Sequence, residues 1–267
     1  ACPYEVKLPP AIAPNHSIFE ALANEYPLTV KFFQRIPNGE YDLNRVYWWE
    51  QRWRESVKSP QNPKQVIFRG LTPIESSPDA TYDIVYLGGA LGAIHAAMMA
   101  KLGYRVCLVE RIPFGRRNRE WNISRAENLI DFGLFTSEEF EQMITAEYVD
   151  GFNKFFDSNN PPHLKAQVLH TPTVLNIAID THRLLEICSK KLHQYGAVIC
   201  DRTEFEKVII SDQGATVYAK NLETGANVTL QARLVIDAMG SASAIAQQLN
   251  EGQAFDSVCP TVGAVLE

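Results

Sequence analysis

The stretch of this chain that most restricts its fold runs from Tyr82 to Arg111 and reads YDIVYLGGALGAIHAAMMAKLGYRVCLVER. Apolar runs over 83–87 and 105–110 flank a glycine-containing turn and an alanine-rich segment over 92–102. This order predicts a strand, a turn, a helix and a second strand, with the two strands parallel in one sheet. A βαβ unit of this kind opens a nucleotide-binding α/β fold.

The glycine turn fits a dinucleotide-binding fingerprint in two registers, neither of them complete. Gly89 and Gly92 have the spacing of the last two glycines in GxGxxG, but Leu87 then stands at the first glycine position. If Gly88 is taken as the first glycine, alanines stand at the two later positions. Glycine is used there because the backbone must approach a pyrophosphate closely, at the N-terminus of a helix.

An acidic residue follows at the expected distance. Glu110 ends the second predicted strand, eighteen residues after Gly92. A carboxylate at this spacing binds the ribose hydroxyls of a dinucleotide. The competing interpretation is a solvated glutamate at the end of a strand.

The rest of the chain extends the prediction to an FAD-type fold. Asp180 or Thr181 is expected to cap a helix, and 197–200 to form a third parallel strand. An alternating pattern over 207–231 predicts a three-stranded antiparallel meander, and 233–237 returns as a core strand before Gly240. The predicted class is α/β, an FAD-binding Rossmann-like domain of the hydroxylase (GR2) type with an antiparallel meander, over 81–267.

Residues 1–80 differ in composition and are predicted to form a helical extension. They contain ten of the fifteen prolines and three of the four tryptophans. A helix is expected after Asp42, with Val46, Trp49, Trp53 and Val57 on one stripe that packs on the main domain. Trp48, between Arg45 and Arg52, lies off this stripe and indicates a partner surface.

Composition excludes several classes of protein. The net charge of −6 disfavours nucleic-acid binding, which needs basic patches. The five cysteines show no CxxC spacing, so no metal site is predicted. The longest uncharged run, 84–100, has seventeen residues and is too short and too glycine-rich for a transmembrane helix.

A basic segment follows the second strand. Arg116, Arg117, Arg119 and Arg125 fall within ten residues. Arginine side chains in this position can reach a pyrophosphate, and the alternative is a solvated basic loop.

Four segments resemble lycopene cyclases of the CruA and CruP type, the CruP branch most closely. They are Glu120–Arg125 (EWNISR) after Val109–Arg111, the turn Gly88–Gly92, the segment Leu234–Gly240 (LVIDAMG) and Cys259–Gly263 (CPTVG), so that the resemblance spans 82–263. The resemblance implies FAD as cofactor and Glu120 as the candidate acid. The cofactor-binding residues that motif spacing and resemblance assign are Gly88, Gly89, Gly92, Glu110, Arg111, Arg119, Arg125, Asp237 and Gly240.

The sequence also departs from this family. Arg116–Arg119 stands where the family has Gly-Arg-Glu-Gln, and family members continue well past Glu267. We therefore expect weak or absent flavin. Two functions remain open at this point. The first is a peripheral, non-catalytic subunit of a pigment–protein complex on the surface of a plastid or cyanobacterial thylakoid membrane, with carotenoid or lipid as further ligands. The second is an FAD-dependent lycopene cyclase-like enzyme of carotenoid biosynthesis.

Overall fold

The predicted βαβ unit is confirmed in the computed structural model, which describes residues 12, 16–59, 62–70, 78–115, 120–125, 128–154, 157–240 and 243–251. Strand β2 (Ala80–Leu87) leads into helix α4 (Leu91–Lys101), and strand β3 (Val106–Val109) returns parallel to β2. The predicted boundaries differ from the observed ones by at most three residues, since β2 already begins at Ala80.

The unit lies inside a mixed sheet of seven strands in the described part of the chain. The order is β1 (Ile67–Arg69), β10 (Thr203–Ser211), β11 (Gly214–Asn221), β12 (Asn227–Asp237), β2, β3 and β9 (Val198–Cys200). Strands β12, β2, β3 and β9 run parallel, while β10, β11 and β12 form the predicted antiparallel meander. The fold class is therefore the predicted one.

Strand β12 links the meander to the parallel part of the sheet. The sequence predicts separate strands over 228–231 and 233–237, but the structure has one continuous strand of eleven residues. Its first half pairs antiparallel with β11, and its second half pairs parallel with β2, ending with Asp237 opposite Leu87. A polar residue at 231 and a charged one at 233 interrupt the hydrophobic pattern and conceal this continuity.

Both faces of the parallel strands are covered. On one face the small side chains of α4, among them Ala93 and Ala97, let the helix approach the sheet, beside α7 (Thr181–Gln194). On the other face Val85, Cys107 and Val217 belong to a second apolar cluster. Burial on both sides explains why β2 and β3 read as continuous apolar runs rather than alternating ones.

A second, three-stranded sheet is formed by β4 (Glu120–Ile123), β8 (Ile177–Asp180) and β5 (Ile144–Glu147), with β8 in the centre. The EWNISR segment supplies its edge strand, β4. Around it lie α5 (Asn128–Asp131), α6 (Ser137–Glu141), a 3₁₀ turn at Pro162–Leu164, and the strand pair β6 (Phe152–Asn153) and β7 (Leu169–His170). Of the two candidate caps Asp180 and Thr181, Asp180 caps α7, and Thr136 caps α6 through a capping box with Glu139.

The helical extension contains α1 (Ile18–Leu22), α2 (Pro27–Phe33) and α3 (Gly39–Lys58). Its core consists of Ile18, Leu22, Val30 and Leu43. The expected burial of Val46 and Trp49 is wrong, because both are exposed and α3 instead packs through Leu43 and Tyr47. Helical spacing alone does not say which of two apolar stripes faces a neighbour.

The chain divides into two compact units, one comprising 1–64 with 246–267 and the other 65–245. Helix α8 (Ala244–Leu249) spans their boundary. The predicted domain limits of 1–80 and 81–267 stay a prediction. Among the residues described, no helix has both the length and the apolar character to cross a membrane.

Candidate functional site

The glycine turn between β2 and α4 lies at the carboxyl end of the parallel strands. Gly88 has a φ of +105°, and a Cβ added there would lie 2.4 Å from the carbonyl oxygen of Ala238. A Cβ at Gly92 would lie 2.9 Å from the Ala238 side chain. Both glycines are thus required for the close approach of the segment that follows β12.

The helix that follows the turn has no side-chain cap at its start. Ala90 occupies the N-cap position of α4 and makes no side-chain capping hydrogen bond. The first N–H groups of a helix have no intrahelical acceptor, and the helix dipole adds partial positive charge. This helix end can therefore accept an anionic group.

Glu110 lies directly against this turn. It is 8% exposed, and its carboxylate accepts hydrogen bonds from the backbone N–H of Gly89 at 2.7 Å and of Ile112 at 3.2 Å. The interpretation of Glu110 as a solvated strand-end residue is wrong, because the side chain is buried and turned towards the glycines.

The turn after β12 also lies at the carboxyl end of the parallel strands. The Asp237 carboxylate accepts hydrogen bonds from the Met239 N–H at 3.0 Å and from the Ser243 hydroxyl. Gly240 has a φ of +69°, which favours glycine. Because Asp237 pairs with Leu87, this turn lies beside the glycine turn. The structure therefore brings together six of the predicted cofactor residues, which are Gly88, Gly89, Gly92, Glu110, Asp237 and Gly240.

The predicted arginines do not join this group where the structure describes them. Arg111 is exposed and lies 3.5 Å from the Glu204 carboxylate. Arg125 forms an ion pair with Glu147 at 2.6 Å and a second one with Glu141, beside the small sheet. Arg116, Arg117 and Arg119 lie outside the described residues, so the expected basic cluster stays a prediction.

Glu120 lies in the edge strand β4, opposite Asp180, and is exposed. A carboxyl group that donates a proton at neutral pH needs a raised pKa, which an apolar pocket provides. An exposed position offers no such pocket. The role of Glu120 as an acid stays a prediction that its surroundings do not favour.

Sequence reasoning missed four residues near the site. A Cβ added at Gly89 would lie 2.9 Å from the Phe114 ring. The Asp201 carboxylate accepts a hydrogen bond from the backbone N–H of Phe114 at 2.7 Å. Asp201 follows β9 and Phe114 follows β3, so only the sheet order brings them together. Burial raises the pKa of Tyr86 to about 12, and its hydroxyl lies 2.8 Å from Nδ1 of His95 on α4.

These features fit the ADP half of FAD. The turn has glycines where a backbone approaches phosphate, an uncapped helix start for the negative charge, and a buried carboxylate for ribose hydroxyls. In the described part of the chain, no group of three or more His, Cys, Asp or Glu side chains has a metal-binding arrangement. Sheet order and site together define an FAD-binding, hydroxylase-like Rossmann fold.

Comparison with solved structures agrees with this fold. The flavin-dependent monooxygenase PieE, solved with FAD and substrate, superposes with a TM-score of 0.51 at 16% identity, over 65% of this chain and 33% of PieE. A geranylgeranyl bacteriochlorophyll reductase-like protein from Thermoplasma acidophilum gives a TM-score of 0.47 at 16% identity, over 60% of this chain and 40% of that one. The myxobacterial chondrochloren halogenase CndH gives a TM-score of 0.46 at 19% identity, over 61% of this chain and 38% of CndH.

The superposition on PieE shows that this chain shares the FAD-binding, hydroxylase-like fold over the matched 65%, and the match spans about a third of the length of PieE. No family model matches the sequence, and no curated protein matches it either. The resemblance to lycopene cyclases consequently rests on the sequence motifs alone.

Proposed function

We propose that the edge formed by the glycine turn, Glu110 and the turn after β12 binds FAD through its ADP half. The observation that carries this proposal is the buried Glu110 carboxylate, held 2.7 Å from the Gly89 N–H beside the uncapped start of α4. A purely structural strand end does not require a buried carboxylate next to three glycines. Burying an ionised group is costly unless hydrogen bonds compensate, and this position supplies them.

Each residue has a distinct part in this proposal. Gly88, Gly89 and Gly92 keep the backbone accessible to the pyrophosphate, and α4 stabilises its charge. Glu110 accepts hydrogen bonds from the ribose hydroxyls. FAD, when bound, supplies two-electron redox chemistry.

Binding is proposed to be weak. Glu110 already accepts the Gly89 N–H, so ribose hydroxyls compete for a carboxylate that is partly engaged. Leu87 also stands where one register of the fingerprint requires glycine. The purified chain is thus expected to contain less than one equivalent of flavin and to take up more when FAD is added.

The test is equilibrium dialysis of the purified chain against FAD, with ADP and FMN as competitors. We expect saturable FAD uptake that ADP displaces and FMN does not, because FMN lacks the adenosine half. Absence of saturable uptake, or displacement by FMN alone, would contradict the proposal.

For the biological setting, we propose a peripheral, non-catalytic subunit on the surface of a photosynthetic membrane. The support is the resemblance to CruP-type proteins and the exposed aromatic residues of α3, among them Trp48 and Trp49. Size fractionation of solubilised thylakoids tests it. Co-migration with a pigment–protein complex, lost when 1–80 are removed, is the expected result, and migration as a free 30.0 kDa species would contradict it.

The alternative is an FAD-dependent lycopene cyclase-like enzyme, supported by the EWNISR and LVIDAMG segments. The exposed position of Glu120 weighs against it, because proton donation to an apolar polyene requires a sheltered acid. Incubation with lycopene and reduced FAD distinguishes the two. We expect no cyclic carotene, and its formation would establish the enzyme.

A further inference from the structure

The ring of Phe114 covers the glycine of the turn that the fingerprint assigns to the pyrophosphate. In the register that Gly89 and Gly92 satisfy, Gly89 is the second glycine, whose missing side chain lets the backbone approach the phosphates. A Cβ added at Gly89 would lie 2.9 Å from both Cδ2 and Cε2 of Phe114. Gly89 is accordingly buried, although the turn lies at the carboxyl end of the parallel strands. The aromatic ring therefore occupies the space that this glycine would leave for a ligand.

Two hydrogen bonds hold the backbone that carries this ring. The carboxylate of Asp201, which follows β9, accepts the bond from the Phe114 N–H at 2.7 Å. Nδ1 of His182, in the first turn of α7, lies 2.8 Å from the carbonyl oxygen of Gly115. A carbonyl oxygen can only accept, so Nδ1 carries the proton and donates it. The backbone is thus held on both sides of the ring, by two separate elements of the fold.

Apolar packing and a glycine define how the ring can move. Phe114 is half-buried and packs against the apolar cluster that α4 and α7 form with the sheet. Displacing the ring exposes part of this apolar surface to water, which costs free energy. Gly115, directly after the ring, has a φ of +80°, and glycine reaches both signs of φ at little cost. The ring can therefore leave the turn through a change in this short segment, without disrupting the sheet.

From the ring over Gly89 and its two backbone hydrogen bonds, we propose that Phe114 is a lid on the pyrophosphate position and sets the affinity of the site for FAD. The glycine turn becomes accessible to phosphate only after the ring has moved. The apparent affinity is then the intrinsic affinity reduced by the fraction of molecules in which the ring is displaced. The inference rests on the FAD site proposed above, and it adds a further reason for weak binding.

The test is equilibrium binding of FAD, ADP and adenosine to the purified parent chain, Phe114→Ala and Phe114→Leu. We expect Phe114→Ala to bind FAD and ADP about tenfold more tightly, because a half-buried phenyl ring no longer competes with the phosphates. Phe114→Leu should gain much less, since leucine retains most of the apolar bulk. Adenosine, which has no phosphate, should bind all three chains equally. A loss of folding cannot produce tighter binding, so the gain distinguishes a lid from a purely structural ring.

A second variant tests the hydrogen bond that holds the lid. Asp201→Ala should bind FAD about fivefold more tightly, because loss of a charge-assisted hydrogen bond makes the displaced ring more frequent. Asp212→Ala is the matched control, since Asp212 is an exposed aspartate in the turn between β10 and β11, and it should bind like the parent. Circular dichroism of each variant checks that the fold remains.

The possible results separate the lid from the FAD site itself. If the parent chain binds FAD and Phe114→Ala binds it equally or more weakly, the lid is overturned and the FAD site stands. An equal gain for adenosine and ADP would also overturn the lid, because it would show a general loosening of the site. Absence of FAD uptake by the parent and by both Phe114 variants would overturn the FAD site and the lid together.

Discussion

The glycine turn and the EWNISR segment differ in how well their sequence match agrees with their position in the structure. The glycine turn matches its fingerprint incompletely, yet six predicted cofactor residues converge around it at the end of the main sheet. EWNISR is the most specific sequence match, yet it forms the edge strand β4, with Glu120 exposed and Arg125 paired with acids. A close match to a sequence motif therefore does not by itself show that its residues lie together at a site.

The physical reason lies in what restricts each region. At Gly88 and Gly92 the backbone and the Ala238 side chain leave no room for a Cβ, so the residue type is dictated by contact. In β4 the alternation of exposed and half-buried residues is that of any edge strand on a small sheet. Predictions that rest on a close contact between backbone segments should therefore be more robust than those that rest on a motif alone.

The largest effect is expected at the glycine turn. Gly88→Val would force a β-branched residue to a φ of +105° and place a Cβ 2.4 Å from the Ala238 oxygen. We expect a loss of about 3 kcal/mol or more in the free energy of unfolding, measured by urea denaturation.

Gly103→Val is the matched control, because Gly103 has a φ of +93° with open space around the Cβ position. This control should lower the free energy of unfolding only through backbone strain, by about 1–2 kcal/mol. Equal costs for the two variants would show that the Ala238 contact does not restrict the turn.

A smaller effect is expected at the ion pair between Lys191 of α7 and Glu139 of α6, whose atoms lie 2.8 Å apart. Although burial opposes ionisation of Glu139, hydrogen bonds from Lys191 and Thr136 lower the pKa of its carboxyl. A lowered folded-state pKa stabilises the fold above the unfolded value and loses that contribution as pH falls below about 5.

Glu139→Gln should therefore cost about 1–2 kcal/mol at pH 7 and flatten the loss of stability on acidification, measured by thermal unfolding between pH 7 and pH 3. Glu141→Gln, on the same short helix, is the control, since Glu141 is exposed and pairs with Arg125. A pH profile identical to that of the parent chain would contradict this account of Glu139.

The smallest effect is expected at Arg125. Its two ion pairs are at the surface, so Arg125→Ala should change the free energy of unfolding by about 1 kcal/mol or less. It should not change FAD uptake, because the described contacts of Arg125 lie beside the small sheet. A clear loss of FAD uptake with unchanged stability would show that Arg125 binds the cofactor, as the sequence predicts.

The sequence was sufficient for the parts of the fold that local patterns determine. The βαβ unit, the meander and the cap at Asp180 follow from periodicity and capping chemistry. The contact between Gly89 and Phe114, the role of Asp201 and the continuity of β12 were not predictable, because they depend on which strands lie side by side. The exposure of Val46 and Trp49 was not predictable either, because helical spacing does not say which of two apolar stripes of α3 is buried.

The central claim is that the glycine turn and Glu110, rather than the EWNISR strand, hold the nucleotide. It is tested most directly by an FAD titration of the parent chain, Glu110→Ala and Glu120→Ala, followed by quenching of flavin fluorescence. We predict that Glu110→Ala weakens FAD and ADP binding about tenfold or more, the cost of losing charge-assisted hydrogen bonds, while Glu120→Ala binds like the parent. Weakened binding in Glu120→Ala with unchanged binding in Glu110→Ala would contradict the account.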